Sequence, residues 1–215
     1  MVKFRDVTLS IASNYANLFN RHSIFCVSNE GEEFFDNEDA FVFKNEREQL
    51  TVFKNSNKIS YRLLQKESSQ GIAVNSEKDA AKLAVGFLKK NRLPFSYEDI
   101  FIDFCGEFYN VKLINNLNGI ALHAFNNVIT VDIYGNVVSL DYFNVDFLKY
   151  GSSELLDIQR ASERSGILIP EEIFKNGKIS IVYVYENSIV VPGYLVEGRL
   201  RDGGSFRQII SAAGF

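Results

Sequence analysis

A chain of 215 residues, 46% hydrophobic and 23% charged, is long enough to bury a sizeable core as one large domain or two to three small ones. Its net charge of −4, with lysines and arginines too sparse to form a basic stripe, excludes an ordinary nucleic-acid binder. Nineteen Phe and ten Tyr against no Trp leave core filling to phenyl and phenol rings, and three Pro with no low-complexity tract leave no disordered linker.

Taken in order, Phe4, Val7, Ile11, Tyr15 and Leu18 recur at three- and four-residue steps and predict a helix over residues 3–21, ended by Asn20-Arg21-His22. Residues 23–28 (SIFCVS) look extended. The acidic run at residues 30–39 reads as a solvated loop; it lacks the Asp-x-Asp-x-Asp-Gly order of a calcium-binding EF-hand. Strands are expected over residues 41–43, 49–54 and 58–64, the last two joined by an Asn55-Ser56-Asn57 turn, with a polar joint at residues 66–71. Ser76 opens the clearest helix. Its hydroxyl is placed to accept from first-turn amides, Asp79 stands where a capping-box acid would, and Ala80, Leu83, Ala84, Phe87 and Leu88 make the apolar stripe. Lys89, Lys90 and Arg92 suit its C-terminal end, and Leu93-Pro94 stops it.

Strands at residues 99–104 and 108–114 lead into NNLNGIALHAFNNVITVDIYGNVVSLDYFNVDF, residues 115–147. Its period-two alternation predicts three antiparallel strands, 119–125, 128–134 and 137–143, turned at Asn126-Asn127 and at Tyr134-Gly135-Asn136. A third helix is expected from Ser152 or Ser153 through Leu155, Ile158 and Ala161 to Gly166, a left-handed terminator. Pro170-Glu171-Glu172 starts a short helical turn with Pro at its first position. The strand at residues 178–185 (KISIVYVY) precedes a hairpin of residues 194–200 and 206–212 turned at Asp202-Gly203-Gly204.

Helices thus begin near residues 4, 76 and 152, about 70–75 apart, each followed by strands. Residues 20–25 (NRHSIF) echo 91–96 (NRLPFS), and 51–61 (TVFKNSNKISY) align with 130–140 (TVDIYGNVVSL). The expected fold is α+β: tandem units of one helix packed on an antiparallel β-meander, over residues 1–70, 71–149 and 150–215.

Candidate chemistry is sparse. Cys26 and Cys105 have no CxxC spacing, and the only histidines are His22 and His123, so a metal site would lack its third and fourth ligands. Both thiols read as small buried hydrophobes, with a Cys26–Cys105 disulfide as the alternative. A nucleophilic cysteine would need a histidine oriented by a third group, and His123 within Leu-His-Ala reads as a structural strand residue. Glu98-Asp99 and Glu171-Glu172 read as turn and helix-start acids. Arg199, Arg201 and Arg207 flank the last turn and could pair with an acidic partner. No GxSxG, HExxH or phosphate-binding glycine loop occurs. No catalytic, cofactor-binding or metal residues and no cofactor are therefore expected. No run of about 18 apolar residues exists, so the chain is expected to be either intracellular or a soluble piece trimmed of its N-terminal anchor.

The order of a helix (residues 76–92), an extended strand (108–115) and NGIALHAFNNVITVDIYGNVVSLDYF resembles the YycH/YycI group of regulatory proteins, a pattern shared with PepSY-like units. Ala124-Phe125-Asn126-Asn127 matches that group's small residue and aromatic-Asn pair, and residues 134–138 match its strand end in Gly-x-Val. Residues 191–213 (VPGYLVEGRLRDGGSFRQIISAA) resemble its closing hairpin. The resemblance spans roughly residues 76–213 and implies a non-enzymatic ectodomain. Such a protein is held outside the cytoplasm of a Gram-positive bacterium by an N-terminal transmembrane helix; with no such helix in this sequence, the expectation is a trimmed ectodomain. It binds and restrains a membrane sensor histidine kinase of a two-component system, or a related membrane regulatory protein, and homo- or heterodimers are open to it. The alternative is a secreted PepSY-like module that inhibits a protease or binds a small ligand or cell-wall fragment.

Overall fold

The computed structural model describes residues 2–3, 8–19, 33–65, 73–144, 146–147, 154–186 and 189–214. The first half carries β1 (Val2–Lys3), α1 (Leu9–Phe19), β2 (Glu33–Asp36), β3 (Ala40–Lys44), β4 (Glu48–Phe53), β5 (Lys58–Leu63), α2 (Glu77–Lys90) and β6 (Asp99–Cys105). Then come β7 (Phe108–Leu117), β8 (Ile120–Asp132), β9 (Val137–Phe143), β10 (Asp146–Phe147), β11 (Glu154–Leu155), α3 (Ile158–Ser165) and α4 (Glu171–Asn176). The chain closes with β12 (Lys178–Glu186), β13 (Ile189–Arg199), β14 (Ser205–Ser211) and β15 (Ala213–Gly214). Two units form: a larger one of residues 4–114 and 125–146, and a smaller one of residues 1–3, 115–124 and 147–215. The segments expected over 1–70 and 71–149 therefore contribute most of their strands to the same unit.

In the larger unit the strand order is β2-β3-β4-β5-β9-β8, with β7 paired to β8 and β6 to β7. Alternate residues put one row of side chains on the buried face: Phe41 and Phe43, Leu50 and Val52, Ile59 and Tyr61, Leu140 and Tyr142, Ile129 and Val131, Val111 and Leu113. Helix α2 lays Ala80, Ala84 and Leu88 onto the same core, with Leu83 and Phe87 alongside. Each large aliphatic side chain so buried contributes about 1.5–3 kcal/mol. Its start is as expected: the Asp79 amide donates to Ser76 Oγ at 3.2 Å, and Ser76 Oγ donates to Asp79 Oδ2 at 2.6 Å. It ends at Asn91, whose side-chain amide donates to the Phe87 carbonyl at 2.8 Å.

Several expectations are corrected here. Lys3 belongs to a strand, and α1 starts only after Thr8, whose hydroxyl accepts from the Ile11 amide. Its buried stripe is Ala12 and Ala16 with Tyr15 and Leu18 beside them, whereas Ile11 is 38% exposed. Part of the acidic run is a strand, because β2 pairs with β3 from Glu33↔Lys44 to Asp36↔Phe41. Residues 20–32 and 66–72, including the expected strand 23–28, lie outside the described residues.

The largest correction concerns Asn126-Asn127. They form no turn but sit buried within the single strand β8. Phe125 takes φ +51, kinking the strand just before them. The β8–β9 ladder runs from Val131↔Val137 to Val128↔Asp141, and beyond it Asn127 Oδ1 accepts from the Phe143 amide at 2.9 Å. A side-chain amide thus replaces the backbone partner that the kink removes. The other expected turn stands: Gly135 has φ +88, a region glycine enters without steric cost, and β9 follows over the expected residues.

In the smaller unit β12, β13 and β14 form an antiparallel meander, from Lys178↔Glu197 to Glu186↔Ile189 and from Gly193↔Ser211 to Arg199↔Ser205. Ala161 of α3 and Ile173 of α4 cluster with Ile169, Val196, Ile210 and Ala212 in one core, while Val182, Val184, Val191 and Leu195 form another with Ala213. The third helix starts later than expected. Asp157 caps it, accepting from the Arg160 amide at 3.0 Å, while Glu154 and Leu155 are drawn into a ladder with Gly214 and Ala213. It ends at Gly166, φ +66, as expected. Pro170 stands one position ahead of the helical turn, as the N-cap of α4.

Candidate functional site

A groove of about 540 Å³ lies in the larger unit, between α2 and the ends of β4, β5 and β9. This volume falls within the ~300–1,000 Å³ range of small-ligand sites. One wall is the flank of α2, where Lys82, Gly86 and Lys90 follow one another at four-residue spacing, all exposed. Leu83 and Phe87 of the same helix turn further inward, and the Phe87 ring lies 5.4 Å from that of Tyr61.

The facing wall begins at Arg47, in the turn from β3 to β4. Asn45 Oδ1 shapes that turn by accepting the Arg47 and Glu48 amides, each at 2.8 Å, and the Arg47 carbonyl accepts the Leu64 amide at 2.6 Å. The groove's end is closed by Gly135, Asn136 and Val137. Asp132 fixes this turn. Its buried carboxylate accepts the Tyr134 amide at 3.0 Å, the Asn136 amide at 2.8 Å and the Asn136 side-chain amide at 3.0 Å. Those bonds satisfy both oxygens, so Asp132 is a turn former.

The charge of the groove is uneven. Its acid, Glu48, is hydrogen-bonded to the Tyr61 hydroxyl; burial first, and then Glu48, hold that phenol far above the usual range, so it stays a neutral donor. Arg47, Lys82 and Lys90 supply the cations, and among the described residues Lys82 and Lys90 make no ion pair. On the neighbouring β5–β9 ladder Asp141 has the opposite arrangement. Partial burial alone would raise its carboxyl, but the Ser60 hydroxyl at 2.8 Å, Arg62 at 3.3 Å and Lys58 at 3.3 Å outweigh burial and hold it below the ordinary value.

The smaller unit offers a different surface. On β12 the alternate residues Ile179, Ile181 and Tyr185 are 38%, 51% and 38% exposed, on one face of the strand. Beyond its full pairing with β13, β12 meets β8 at a single register pair, Tyr183↔Leu122.

The residues singled out from sequence chemistry are scattered. His22 and Cys26 lie outside the described residues. Cys105 is exposed at the end of β6, correcting its expected burial; among the described residues β6 pairs with β7 alone. His123 is half-buried in β8. Arg201 pairs with Glu172 at 3.1 Å and Arg207 with Glu197 at 3.1 Å, so both find acids within the chain. Glu171 pairs with Lys175 one helical turn on. Among the described residues no three His, Cys, Asp or Glu side chains gather as a metal-ligand set, and no helix is long and apolar enough to cross a membrane. The Lys82-Gly86-Lys90 row carries two signals that are visible in the sequence, its four-residue spacing and a glycine inside a strong helix.

No family model matches the chain, and no curated protein matches it. Solved structures do. The Bacillus megaterium YpeB C-terminal domain is 13% identical with a TM-score of 0.57, over 97% of this chain and 94% of that domain. An uncharacterised protein from Eubacterium rectale is 13% identical with a TM-score of 0.53, over 98% of this chain and 80% of that one. At this identity the likeness shows the fold: a PepSY-like α+β arrangement of a few helices on a large, mainly antiparallel sheet.

Proposed function

We propose that this protein is a regulatory ectodomain that works by protein–protein contact, on the outer face of a cell membrane, and biases a sensor histidine kinase of a two-component system. The observation that carries the reading is the apolar row Ile179, Ile181 and Tyr185, open to solvent on a strand whose second edge is joined at one register pair. Large apolar side chains beside a partly open strand edge suit docking by an added strand, in which backbone bonds give affinity and alternate side chains give specificity. The partner class comes from the resemblance to the YycH/YycI group carried by residues 76–213. A contact of this kind acts by binding one kinase state better than another.

The test is a transcriptional reporter for kinase output in cells carrying the membrane-anchored chain. Ile181→Asp is expected to abolish regulation at an unchanged folded amount, whereas Cys105→Ala and His123→Ala leave it intact. Unchanged output on deleting the whole protein would sink the kinase reading, and full regulation by Ile181→Asp would sink this surface. A second reading, a secreted PepSY-like module that inhibits a protease or binds a small ligand or cell-wall fragment, is favoured by the groove beside α2.

A further inference from the structure

We propose that the groove beside α2 is a docking site for an extended acidic polypeptide segment, held by the Lys82-Gly86-Lys90 row over the Tyr61–Phe87 ring pair. The proposal concerns the larger unit and does not rest on the kinase reading, whose surface is β12.

Charge complementarity comes first. In a chain of net charge −4, the groove gathers Arg47, Lys82 and Lys90 against Glu48, which is already bonded to Tyr61. Among the described residues neither Lys82 nor Lys90 has an acid partner, and two such lysines on one flank of one helix favour an anion that comes from outside. The second element is Gly86. A glycine inside a helix costs about 0.5–1 kcal/mol relative to alanine, and a Cβ built at Gly86 meets nothing within 4 Å. No packing contact requires glycine here. Its effect is to leave the helix flank bare between the two lysines, where a ligand side chain can approach the backbone.

Spacing then selects the ligand's shape. Eight residues separate Lys82 from Lys90, about 12 Å along the helix axis. In an extended chain, residues i and i+4 point to the same side about 13 Å apart, with residue i+2 between them. A segment of the pattern acid-x-apolar-x-acid therefore sets one carboxylate at each lysine and its apolar side chain over Gly86, against Leu83 and Phe87. Two separated charges and a central apolar contact favour such a segment over a compact anion.

The test is a titration of the isotopically labelled chain, followed by amide chemical shifts. The probes are Ac-Glu-Ser-Leu-Ser-Glu-NH2, its neutral counterpart Ac-Gln-Ser-Leu-Ser-Gln-NH2, and an oligomer of glycerol phosphate. The acidic peptide is expected to shift the Lys82, Gly86, Lys90 and Asn136 amides saturably, and to bind more weakly as salt rises from about 50 to about 500 mM. The neutral peptide binds several-fold more weakly. Lys82→Gln and Lys90→Gln, both at exposed positions, each lower affinity for the acidic peptide by up to about fivefold and leave affinity for the neutral one unchanged. Gly86→Leu abolishes binding of both. Equal affinity for the two peptides, shifts confined to another surface, no shifts at millimolar peptide, or binding of the glycerol phosphate oligomer alone would each overturn the proposal.

Discussion

Gly177 lies where α4 meets β13, and its replacement by alanine isolates a steric effect. Its backbone is extended, φ −80 and ψ 169, so alanine meets no conformational strain there. A Cβ would stand 2.5 Å from the Ile173 carbonyl oxygen and 2.8 Å from the Glu197 carbonyl oxygen, against an ordinary contact distance of about 3.5 Å. Both obstacles are backbone atoms of different elements, so no rotamer change relieves them; α4 and β13 must separate by several tenths of an ångström or more. Overpacking of this kind costs about 1–3 kcal/mol. The same movement weakens the 2.8 Å bond from the Gly177 amide to the Ile173 carbonyl, worth about 1 kcal/mol. Alanine recovers about 0.4–1 kcal/mol by restricting the unfolded chain. The net loss is about 1–3 kcal/mol, or roughly 2–4 °C in melting temperature for each kcal/mol in a chain of this size. Urea denaturation monitored by circular dichroism measures it, with Gly86→Ala as the opposite case: open space and a helix interior, hence a gain of about 0.5–1 kcal/mol. A Gly177→Ala protein as stable as the parent, or a destabilised Gly86→Ala protein, would refute the reasoning.

Two further outcomes follow from buried and paired groups. Asn127→Ala leaves the Phe143 amide without its acceptor at a site where Asn127 is 2% exposed, so a loss of about 1–3 kcal/mol is expected; a denaturation midpoint within error of the parent contradicts the bond. Asp141 is held below its ordinary value of 3.8, so it contributes stability that is present above that value and is lost as pH falls through the lower folded-state value. Asp141→Asn removes this contribution, and its stability should fall less steeply than the parent's below about pH 4; parallel acid limbs for the two proteins would count against the Ser60, Arg62 and Lys58 partners.

Legibility in the sequence tracked how local each determinant was. Helix α2 was readable because its start, stripe and end are all written within residues 76–94: Ser76 and Asp79 bond each other, and Ala80, Ala84 and Leu88 repeat at four-residue steps. The Gly135 turn was readable for the same reason. Asn126-Asn127 misled because one chemistry serves two ends: an amide that can close a turn on its own backbone can also accept from a neighbouring strand. The choice was made by Phe143, 16 residues away, and by the kink at Phe125. Ser152-Ser153 misled likewise, since Glu154 and Leu155 answer to Gly214 and Ala213 at the other end of the segment. In α1 the helical period was right and Tyr15 and Leu18 do pack against the core, but Ile11 does not. Ile11 is the more apolar residue, but the small Ala12 and Ala16 permit the closer approach to the sheet and take the buried side.

The groove shows the same division between local and distant information. Its helical wall was open to inspection as a lysine, a glycine and a lysine spaced four apart on the polar side of α2. That row says nothing alone, because exposed lysines are ordinary on a solvated face. It becomes a site only when Arg47, Tyr61 and Asn136, drawn from a turn, a strand and a second turn across 89 residues of chain (47 to 136), form the opposite wall. Those residues arrive there through the β4–β5–β9 pairing and through the buried Asp132 that sets the second turn. The PepSY-like sheet therefore supplies the position, and α2 supplies the charge and the one residue without a side chain. A helix with the same lysines and alanine in place of Gly86 would be the more stable element, and that stability difference is the physical sign that the flank is shaped for something other than folding.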